Sequence, residues 1–338
     1  MKEGVILKPN KISKNPLFYL VAPSFGCTIS PYKERLACAL ENFKKHNINY
    51  ILGPNCDKAL GVASSNIPIL RAKEFMDAYE SNADVIMSVG GGETMVEMLE
   101  YVDFEKIKNL PPKWFVGFSD NTNLTYTLTT ICDVETIYGN NAPNFYNYPF
   151  KYDTLDTIEM LQGKTEFKGY PKWQLKEDKS LFPKYNFDMD KIITPYNYKK
   201  PFEGRLLGGC LDCLNIICGT KFDNTKNYIN KYSEDGIIFY LEACELTSIG
   251  IRRVLFQLKN AGWFNNIKGF LIGRTYNYND ESFGITPVQA YIDLLKEYNV
   301  PILLDIDLGH LSPSLPFRNG AKAKIEYKDN NINIKYLD

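Results

Sequence analysis

Short apolar runs that end in glycines or small polar residues, and then pass into amphipathic stretches, recur in the N-terminal half of the chain. Three of them read LFYLVAPSFG at 17–26, DVIMSVGGGETM at 84–95 and KWFVGFSDNT at 113–122. A buried strand, a loop and a helix in this order are typical of α/β proteins with a parallel sheet. We therefore predict a strand over 114–117 and helices over about 32–46 and 121–130.

The C-terminal half also contains apolar runs that predict strands. A glycine-containing stretch precedes these runs and an alternating tail follows them. The apolar runs GIIFYLE at 236–242, IKGFLIG at 267–273 and VPILLD at 300–305 predict three more strands. Before them, GRLLGGCLDCLNIICG at 204–219 predicts a glycine turn that opens a buried helix. After them, the alternating tail at 321–338 predicts an antiparallel hairpin.

Between the two halves, the periodic pattern dissolves into prolines, lysines and aromatic residues from about 148 to 201. This segment carries too many aromatic side chains for a solvated tail, so we interpret it as a crossover with an elaborated surface segment. With 338 residues, the chain exceeds the usual size of one domain. We predict an N-terminal α/β domain over 1–165 and a second domain over 166–338, in which 166–201 is an aromatic-rich connector.

Composition narrows the function classes further. The chain has 39 basic and 40 acidic residues and a net charge of -1. This balance gives no indication of nucleic acid or an anionic membrane as the main partner. The apolar runs are far shorter than the roughly 20 residues of a membrane helix, and the N-terminus lacks the apolar core of a signal peptide. We therefore expect a cytoplasmic protein.

Cysteine and histidine limit the possible metal sites. Cys210 and Cys213 form one C-x-x-C among eight cysteines, and His46 and His310 are the only histidines in the sequence. A C-x-x-C can be half of a zinc site or a redox pair, but no second pair follows at zinc spacing. We interpret the two cysteines as buried free thiols on a helix, and His46 as a surface residue at a helix end.

Ser119 is the first candidate for chemistry because it lies where a strand turns into a helix. At such a turn a serine hydroxyl can be exposed beside the free N–H groups of the following helix. The usual elbow pattern is G-x-S-x-G, whereas this chain has Gly117, Ser119 and then Asn121. The competing interpretation is that Ser119 only caps the next helix.

A nucleophilic serine needs a general base and an acid that orients it. His310 follows an apolar strand and a glycine, so its loop should reach the same sheet edge as Ser119. Glu242 ends the strand GIIFYLE, where a carboxylate is costly to bury without a partner. Glu245 competes with it for the role of acid. The aspartates nearest the histidine are expected to be turn or capping residues, namely Asp305 and Asp307.

The loop SVGGGETM offers the backbone donors that an oxyanion hole requires. We take Gly91 and the N–H of Asp120 as its two donors, and Gly92 as a substrate contact. A dinucleotide site of the form G-x-G-x-x-G would need a glycine at Met95, and no Gly-Lys-Ser/Thr of a phosphate loop follows the glycines.

Together these pieces resemble the LD-carboxypeptidase family of serine peptidases, and most closely its branch of microcin C immunity (MccF-like) proteins. The motifs that carry the resemblance occur in the order VAPSFG, VGGGET, FVGFSDNT, GRLLGGCLDCL, YLEACE, IRRVLFQL, GFLIGR and GHLSP, from about 18 to 325. The resemblance implies a flavodoxin- or Rossmann-like N-terminal domain and a smaller C-terminal α/β domain with its own sheet. It also implies a catalytic triad of Ser119, Glu242 and His310 across the domain interface, a homodimer, and no metal or cofactor.

Two substrates remain open within this resemblance. One is an aminoacyl- or peptidyl-nucleotide cleaved at its amide bond, as in microcin self-immunity. The other is a muropeptide that loses its terminal D-alanine in cell-wall recycling. Trp173, Tyr185 and Phe187 could stack on a nucleobase or could pack between domains, and Ser88-Val89 before the glycines favours the nucleotide. A non-catalytic small-ligand-binding protein is the alternative from another class.

Overall fold

The apolar runs of the sequence become the strands of two large sheets. The computed structural model describes residues 5–176 and 178–337. The strands of the first half are β1 (Leu17–Val21), β2 (Asn49–Leu52), β3 (Val85–Ser88), β4 (Trp114–Gly117), β5 (Thr136–Tyr138), β6 (Glu166–Lys168), β7 (Lys172–Trp173) and β8 (Met189–Asp190). The later strands are β9 (Thr194–Tyr196), β10 (Phe202–Cys210), β11 (Ile237–Glu242), β12 (Ile267–Gly273), β13 (Ile302–Ile306), β14 (Phe317–Asn319), β15 (Lys322–Lys328) and β16 (Asn331–Tyr336).

Helices connect the strands and cover the sheets. The α-helices are α1 (Tyr32–Lys45), α2 (Pro68–Glu80), α3 (Phe104–Lys108), α4 (Thr122–Cys132), α5 (Tyr152–Leu161), α6 (Leu211–Ile217), α7 (Thr225–Lys231), α8 (Ser248–Asn260) and α9 (Pro287–Leu295). Short 3-10 helices cover Met95–Tyr101, Ser119–Asn121, Ala142–Tyr146 and Lys296–Tyr298. None of the helices in the described ranges combines the length and the apolar character needed to cross a bilayer.

The first sheet has six strands in the order β14-β5-β4-β3-β1-β2, and the five N-terminal strands run parallel. Every residue of β3 and β4 is buried, as expected for strands covered on both faces. The predicted strand over 114–117 is confirmed as β4, and the two predicted helices are confirmed as α1 and α4. The stretch after the glycine loop forms a 3-10 helix in place of the predicted helical pattern.

The second sheet has eight strands in the order β6-β16-β15-β10-β11-β12-β13-β9. Its central strands β10 to β13 are parallel, and the predicted C-terminal hairpin is confirmed as β15 and β16. The expectation that the C-terminal half has its own sheet is confirmed. Antiparallel strands from the connector, β6 and β9, and the C-terminal hairpin extend this sheet beyond its parallel centre.

The glycines at 208 and 209 lie inside β10, where a glycine turn was predicted. A Cβ on Gly208 would come within 1.8 Å of the Tyr240 carbonyl oxygen, and one on Gly209 within 2.7 Å of the Thr122 side chain. Glycine is therefore needed here for close contact between backbones rather than for a turn. As a result, β10 runs tightly against β11 and against the start of α4.

The two sheets contact each other and share an apolar core. Strand β14 comes from the C-terminal half but pairs antiparallel with β5 in the first sheet. Tyr240 of the second sheet stacks on Phe317 of the first, with ring centroids 4.7 Å apart. One buried apolar cluster includes both of these residues and Tyr138. The edges that carry Ser119 and Glu242 are consequently held against each other.

Candidate active site

Ser119 occupies a strained turn between β4 and α4. Its φ is +63°, in the left-handed region that residues with a side chain rarely adopt. Its backbone N–H donates to the Tyr138 hydroxyl over 3.1 Å. A strained serine between strand and helix is the geometry of a nucleophile elbow.

Asn121 takes the place of the second elbow glycine. Its amide nitrogen Nδ2 donates to the carbonyl oxygens of Gly90 at 2.8 Å and Phe118 at 2.9 Å. A Cβ on Gly117 would come within 2.5 Å of the Asn121 Cβ, so the first glycine of the motif makes room for this side chain. The turn is thus made by Asn121, which also links it to the glycine loop.

His310 reaches Ser119 from a loop that follows β13. Its Nε2 lies 3.0 Å from the Ser119 Oγ, and its Nδ1 lies 2.9 Å from Oε2 of Glu242. Gly309 precedes it with a φ of +106°, and a Cβ there would come within 2.9 Å of the Glu242 Cβ. The Gly309 N–H donates to the Ser314 Oγ over 3.0 Å, which closes the loop.

Glu242 is the carboxylate that contacts this histidine. It is fully buried at the end of β11, and its second oxygen, Oε1, accepts a hydrogen bond from the Tyr138 hydroxyl at 2.6 Å. Glu245 is exposed, and its N–H donates to Asp212. Of the two candidates left open by the sequence, the fold brings Glu242 to His310.

Burial and charge act in opposite directions on this pair. Burial by itself lowers the pKa of His310, but the adjacent Glu242 carboxylate and its hydrogen bond raise that pKa well above its usual value. Burial likewise tends to raise the pKa of Glu242, yet the His310 charge and the hydrogen bonds from His310 and Tyr138 leave it lowered. The arrangement therefore favours a carboxylate beside an imidazole that readily accepts a proton.

The glycine loop lies directly against the serine. A Cβ on Gly91 would come within 3.2 Å of the Ser119 Cβ and 3.5 Å of its Oγ. Gly92 has a φ of +151°, and a Cβ there would overlap the Ser24 Oγ at 2.2 Å. A side chain at position 91 would therefore fill the space next to the Ser119 hydroxyl, and one at position 92 would collide with Ser24.

The Asp120 side chain fastens the neighbouring loops to the elbow. Its buried carboxylate accepts hydrogen bonds from the Ser24 hydroxyl at 2.5 Å, the Met95 N–H at 3.0 Å and the Asn123 amide at 2.9 Å. Burial raises the pKa of this carboxyl, and these hydrogen bonds oppose the rise. With its carboxylate so occupied, Asp120 has its backbone N–H to offer to a ligand.

The two aspartates before His310 have different roles. Asp305 was expected to be a turn or capping residue, but it lies within β13, and its φ of +62° coincides with a shift in the register between β12 and β13. Asp307 was also expected to be a turn or capping residue, but it forms a buried ion pair with Arg274 at 2.5 Å and accepts from the Tyr170 N–H at 2.7 Å. The ion pair is possible because Arg274, at the end of β12, lies beside the end of β13.

The C-x-x-C cysteines are free thiols at the start of α6, and both are buried. The interpretation as buried free thiols is confirmed. The Cys213 Sγ points to the Ser119 carbonyl oxygen at 3.7 Å. Within residues 5–176 and 178–337, no group of three or more histidine, cysteine or acidic side chains could hold a metal ion.

Trp173 is not available as a stacking surface. It is 2% exposed, its indole N–H donates to the Asp190 carbonyl oxygen, and Arg274 and Tyr278 cover its ring. The prediction that it contacts substrate is therefore wrong, because the connector folds the indole into the protein.

The other two aromatic residues of the connector, Tyr185 and Phe187, pack against Tyr152. An exposed ring lies instead at Tyr276, 6.3 Å from the His310 ring.

Tyr138 and Asn121 are the site residues that sequence reasoning missed or left unexplained. Strand β5 ends at the same sheet edge as β4, so its last residue, Tyr138, could have been noticed as a neighbour of Ser119. A tyrosine is, however, an ordinary strand residue. Only the three-dimensional structure indicates that its hydroxyl lies between Ser119 and Glu242.

Comparisons with known proteins identify the family. Family models described as the LD-carboxypeptidase N-terminal and C-terminal domains match residues 19–139 and 203–325. The chain is 27% identical over 255 residues to the putative carboxypeptidase YocD of Bacillus subtilis, covering 73% of this chain and 74% of that protein. It is 24% identical over 326 residues to a probable murein peptide carboxypeptidase of the same species, covering 94% and 90%.

Solved structures share the fold over nearly the whole chain. The microcin C7 self-immunity protein MccF in its wild-type apo state has a TM-score of 0.82 at 20% identity and covers 99% of this chain and 100% of its own. MccF in complex with aspartyl sulfamoyl adenosine has a TM-score of 0.80 at 20% identity and covers 98% of both chains. At this identity, the similarity shows the fold.

Proposed function

The chain belongs to the LD-carboxypeptidase family of serine peptidases, and from that membership we propose that it is an amide hydrolase with a Ser119–His310–Glu242 triad. The observation that carries the proposal is the unbroken line of hydrogen-bond contacts from the serine hydroxyl through the imidazole to a buried carboxylate. Such a line is the requirement for a serine to act as a nucleophile near neutral pH.

The mechanism follows from the positions of the protons. His310 Nε2 accepts the Ser119 proton while the Oγ attacks the amide carbonyl carbon, and Glu242 stabilises the imidazolium that forms. His310 then gives this proton to the leaving amine. Water enters, loses a proton to His310 and releases the acyl group from Ser119 by the same steps.

The negative charge on the attacked oxygen requires two backbone donors. We assign these to the N–H groups of Gly91 and of Asp120, the residue that follows Ser119. The distance of 3.5 Å between the position of a Gly91 Cβ and the Ser119 Oγ supports the first assignment. Gly92, next to it, borders the space that the substrate would occupy.

The active site would then be assembled from two domains. The proposed division is 1–165 and 166–338, with Ser119 in the first and both Glu242 and His310 in the second. The separate matches of N-terminal and C-terminal family models support this division.

The substrate that we favour is an aminoacyl- or peptidyl-nucleotide, cleaved in a self-immunity role. The complex of MccF with aspartyl sulfamoyl adenosine supports this class of substrate. In this chain, a groove of about 410 Å³ is lined by Leu175, Thr247, Tyr276, Asn277, Tyr278, Asn279 and Asp280. The ring of Tyr276 lies 6.3 Å from the ring of His310. The exposed ring of Tyr276 offers a nucleobase the stacking surface that Trp173 does not.

A second candidate substrate is a muropeptide that loses its terminal D-alanine. The similarity to a probable murein peptide carboxypeptidase along nearly the whole chain favours it. Both reactions cleave an amide and use the same triad, so the residues around the serine do not distinguish them.

Parallel assays test the substrate and the triad together. We expect the purified protein to cleave an aminoacyl-sulfamoyl-adenosine, followed by mass spectrometry, and to leave a tetrapeptide muropeptide intact. Release of D-alanine alone would establish the second candidate. Ser119→Ala and His310→Ala should each abolish most of the activity, and the double variant should lose little more, because triad members act as a unit.

A non-catalytic ligand-binding protein would behave differently in a labelling experiment. A serine-directed fluorophosphonate should label the wild-type protein and leave Ser119→Ala unlabelled. If the wild-type protein is not labelled either, the triad proposal fails.

The homodimer implied by the family also belongs to this proposal. Strand β2 is an edge strand, and apolar side chains are exposed on it and on the segment that follows, including Leu60 at 70% and Val62 at 84%. Exposed apolar side chains beside an unpaired strand edge are a common feature of surfaces that bind another protein chain. Sedimentation equilibrium should give twice the monomer mass, and Val62→Asp should weaken the association. The cytoplasmic location stays a prediction.

A further inference from the structure

The Tyr138 hydroxyl lies between the acid and the nucleophile of the proposed triad. It donates to Oε1 of Glu242 at 2.6 Å and accepts from the Ser119 N–H at 3.1 Å. His310 joins the same two residues through Oε2 and Oγ. The four residues therefore form a closed ring of hydrogen bonds.

We propose that Tyr138 is a positioning residue, whose hydroxyl holds Glu242 against His310 and ties the acid to the backbone of Ser119. This proposal rests on the proposed function. Tyr138 does not touch the space in front of the serine hydroxyl and acts on the reaction through the acid.

The location of Tyr138 suits this task. It is fully buried on β5, where its backbone pairs with Gly117 of β4 and with Phe317 of β14. Its ring packs against Phe118 at 4.9 Å and Tyr240 at 6.1 Å. A side chain fixed on a strand and packed on both sides keeps its hydroxyl in one place.

The buried acid needs this second hydrogen bond. Glu242 has no exposed surface, and a buried carboxylate is costly unless its oxygens are paired. His310 satisfies Oε2 and Tyr138 satisfies Oε1. Without the hydroxyl, Oε1 would lose a charge-assisted bond, and the carboxylate could rotate away from the imidazole.

The hydroxyl also connects the two sheets at the reaction centre. Tyr138 and Ser119 belong to the first sheet and its loops, whereas Glu242 and His310 belong to the second. The only other contact within this ring that joins the two sheets is that between His310 and the serine hydroxyl. Tyr138 thus sets the distance between acid and nucleophile independently of the histidine.

The pH dependence of the site provides a measurement specific to this role. The other titratable groups that face Glu242 are Cys210, Cys213 and Tyr291, and Cys244 faces His310. The pKa values of Cys210, Cys213 and Tyr291 are raised, so these three groups stay neutral near pH 7. Loss of the Tyr138 donor makes the Glu242–His310 pair hold its proton more tightly, which moves the acidic limb of the rate to higher pH.

The test measures the rate at which a fluorophosphonate labels Ser119 as a function of pH, so it needs no knowledge of the natural substrate. Tyr138→Phe should slow labelling roughly 10- to 100-fold and raise the pH of half-maximal rate by about half a unit or more. The matched control is Tyr126→Phe, which removes another buried tyrosine hydroxyl, 2.9 Å from Thr225 and away from the triad. This control should change neither quantity.

A second comparison, made in the Glu242→Ala variant, distinguishes positioning of the acid from general stabilisation of the folded protein. In Glu242→Ala, Tyr138→Phe should slow labelling less than about threefold, because the hydroxyl no longer has an acid to hold. If Tyr138→Phe slows labelling equally in the wild-type protein and in Glu242→Ala, or leaves the acidic limb of the pH profile unchanged, the inference is wrong. Labelling of the wild-type protein would still support the triad in that case.

If Tyr138→Phe does not fold, 3-fluorotyrosine at position 138 gives the same test with the shape retained. Its more acidic hydroxyl is a stronger donor to Glu242, so the acidic limb should move to lower pH. A limb that stays in place or moves upward contradicts the inference.

Discussion

The side-chain amide of Asn121 donates to the carbonyl oxygen of Gly90 over 2.8 Å. This contact joins the turn that carries Ser119 to the loop that is proposed to bind the oxyanion. A glycine at position 121 would make the turn equally well but could not provide the contact. The departure from the usual elbow pattern therefore has a structural purpose in this chain.

Asn121→Gly and Asn121→Ala should both lower kcat by roughly tenfold or more, because a misplaced oxyanion donor costs about that much. KM should change less, since the amide does not line the groove that contains Tyr276. Steady-state kinetics on the cleaved substrate would measure both constants. Full activity of Asn121→Gly would mean that the contact with Gly90 is dispensable and that the turn alone matters.

The pair of Glu242 and His310 predicts a definite pH profile. His310 must be neutral to accept the serine proton, and the carboxylate raises its pKa above 6.5. The kcat/KM of the wild-type enzyme should therefore rise with pH and reach half its maximum above pH 6.5. In Glu242→Gln the carboxylate charge that raises the pKa of His310 is gone while burial still lowers it, so this midpoint should move to lower pH while the maximal rate drops.

A circular dichroism spectrum of Glu242→Gln that matches the wild type would serve as the control for folding. The assignment of Glu242 predicts that the same substitution at Glu245 leaves the midpoint in place, because that residue is exposed and bonded through its N–H to Asp212. A shift caused by Glu245→Gln and absent in Glu242→Gln would reverse the assignment.

The sequence predicted the parallel strands and the positions of Ser119 and His310 because both depend on local patterns. An apolar run of fixed length followed by glycine marks a strand end, whichever fold contains it. The choice of Glu242 over Glu245 did not follow from the local pattern, which left both open; the resemblance to the family implied Glu242, and the fold brings it to His310. The strand ends and the positions of Ser119 and His310 are each indicated by a few consecutive residues.

Other features depend on residues that are distant along the chain. Position 208 requires a glycine because the Tyr240 carbonyl oxygen occupies the space of a Cβ atom. No sequence pattern near Gly208 predicts that contact. Trp173 was a candidate for stacking on a nucleobase because it belongs to the aromatic-rich connector, yet Arg274, which is distant along the chain, covers its ring. Pairings of this kind are decided by tertiary packing and were not readable from the local sequence.

The C-x-x-C pair should contribute little to activity despite its position below the elbow. The thiols are free, and the bond from Cys213 to the Ser119 carbonyl is long at 3.7 Å. Cys213→Ala should keep the fluorophosphonate labelling rate within about threefold of the wild type. Dialysis against a chelator should leave that rate unchanged. Loss of labelling after dialysis, restored by zinc, would show that these thiols serve a metal site after all.

The buried carboxyl group of Asp305 leads to a prediction about stability rather than activity. It is 9% exposed at the end of β13, and its hydrogen bond to the Thr194 hydroxyl is long at 3.5 Å. Burial raises its pKa from 3.8 to about 6, with Arg274 and Thr194 opposing the rise. Above pH 6 the folded protein therefore contains the charged form of Asp305, which costs more free energy to bury than the neutral form.

The sign of the pH dependence follows from proton binding. Between about pH 6 and pH 4 the folded state binds a proton at Asp305 that the unfolded state does not, so this carboxyl adds stability as the pH falls. Asp305→Asn removes the charge and tolerates the φ of +62°. At pH 7.5 the free energy of unfolding by urea should rise by up to roughly 3 kcal/mol, and the gain should shrink toward pH 4.

Asp329→Asn is the matched control, because it makes the same change at a φ of +51° in an exposed turn and should leave the stability unchanged. A loss of stability in Asp305→Asn at pH 7.5 would mean that the attraction between Asp305 and Arg274 outweighs the cost of burying the charge.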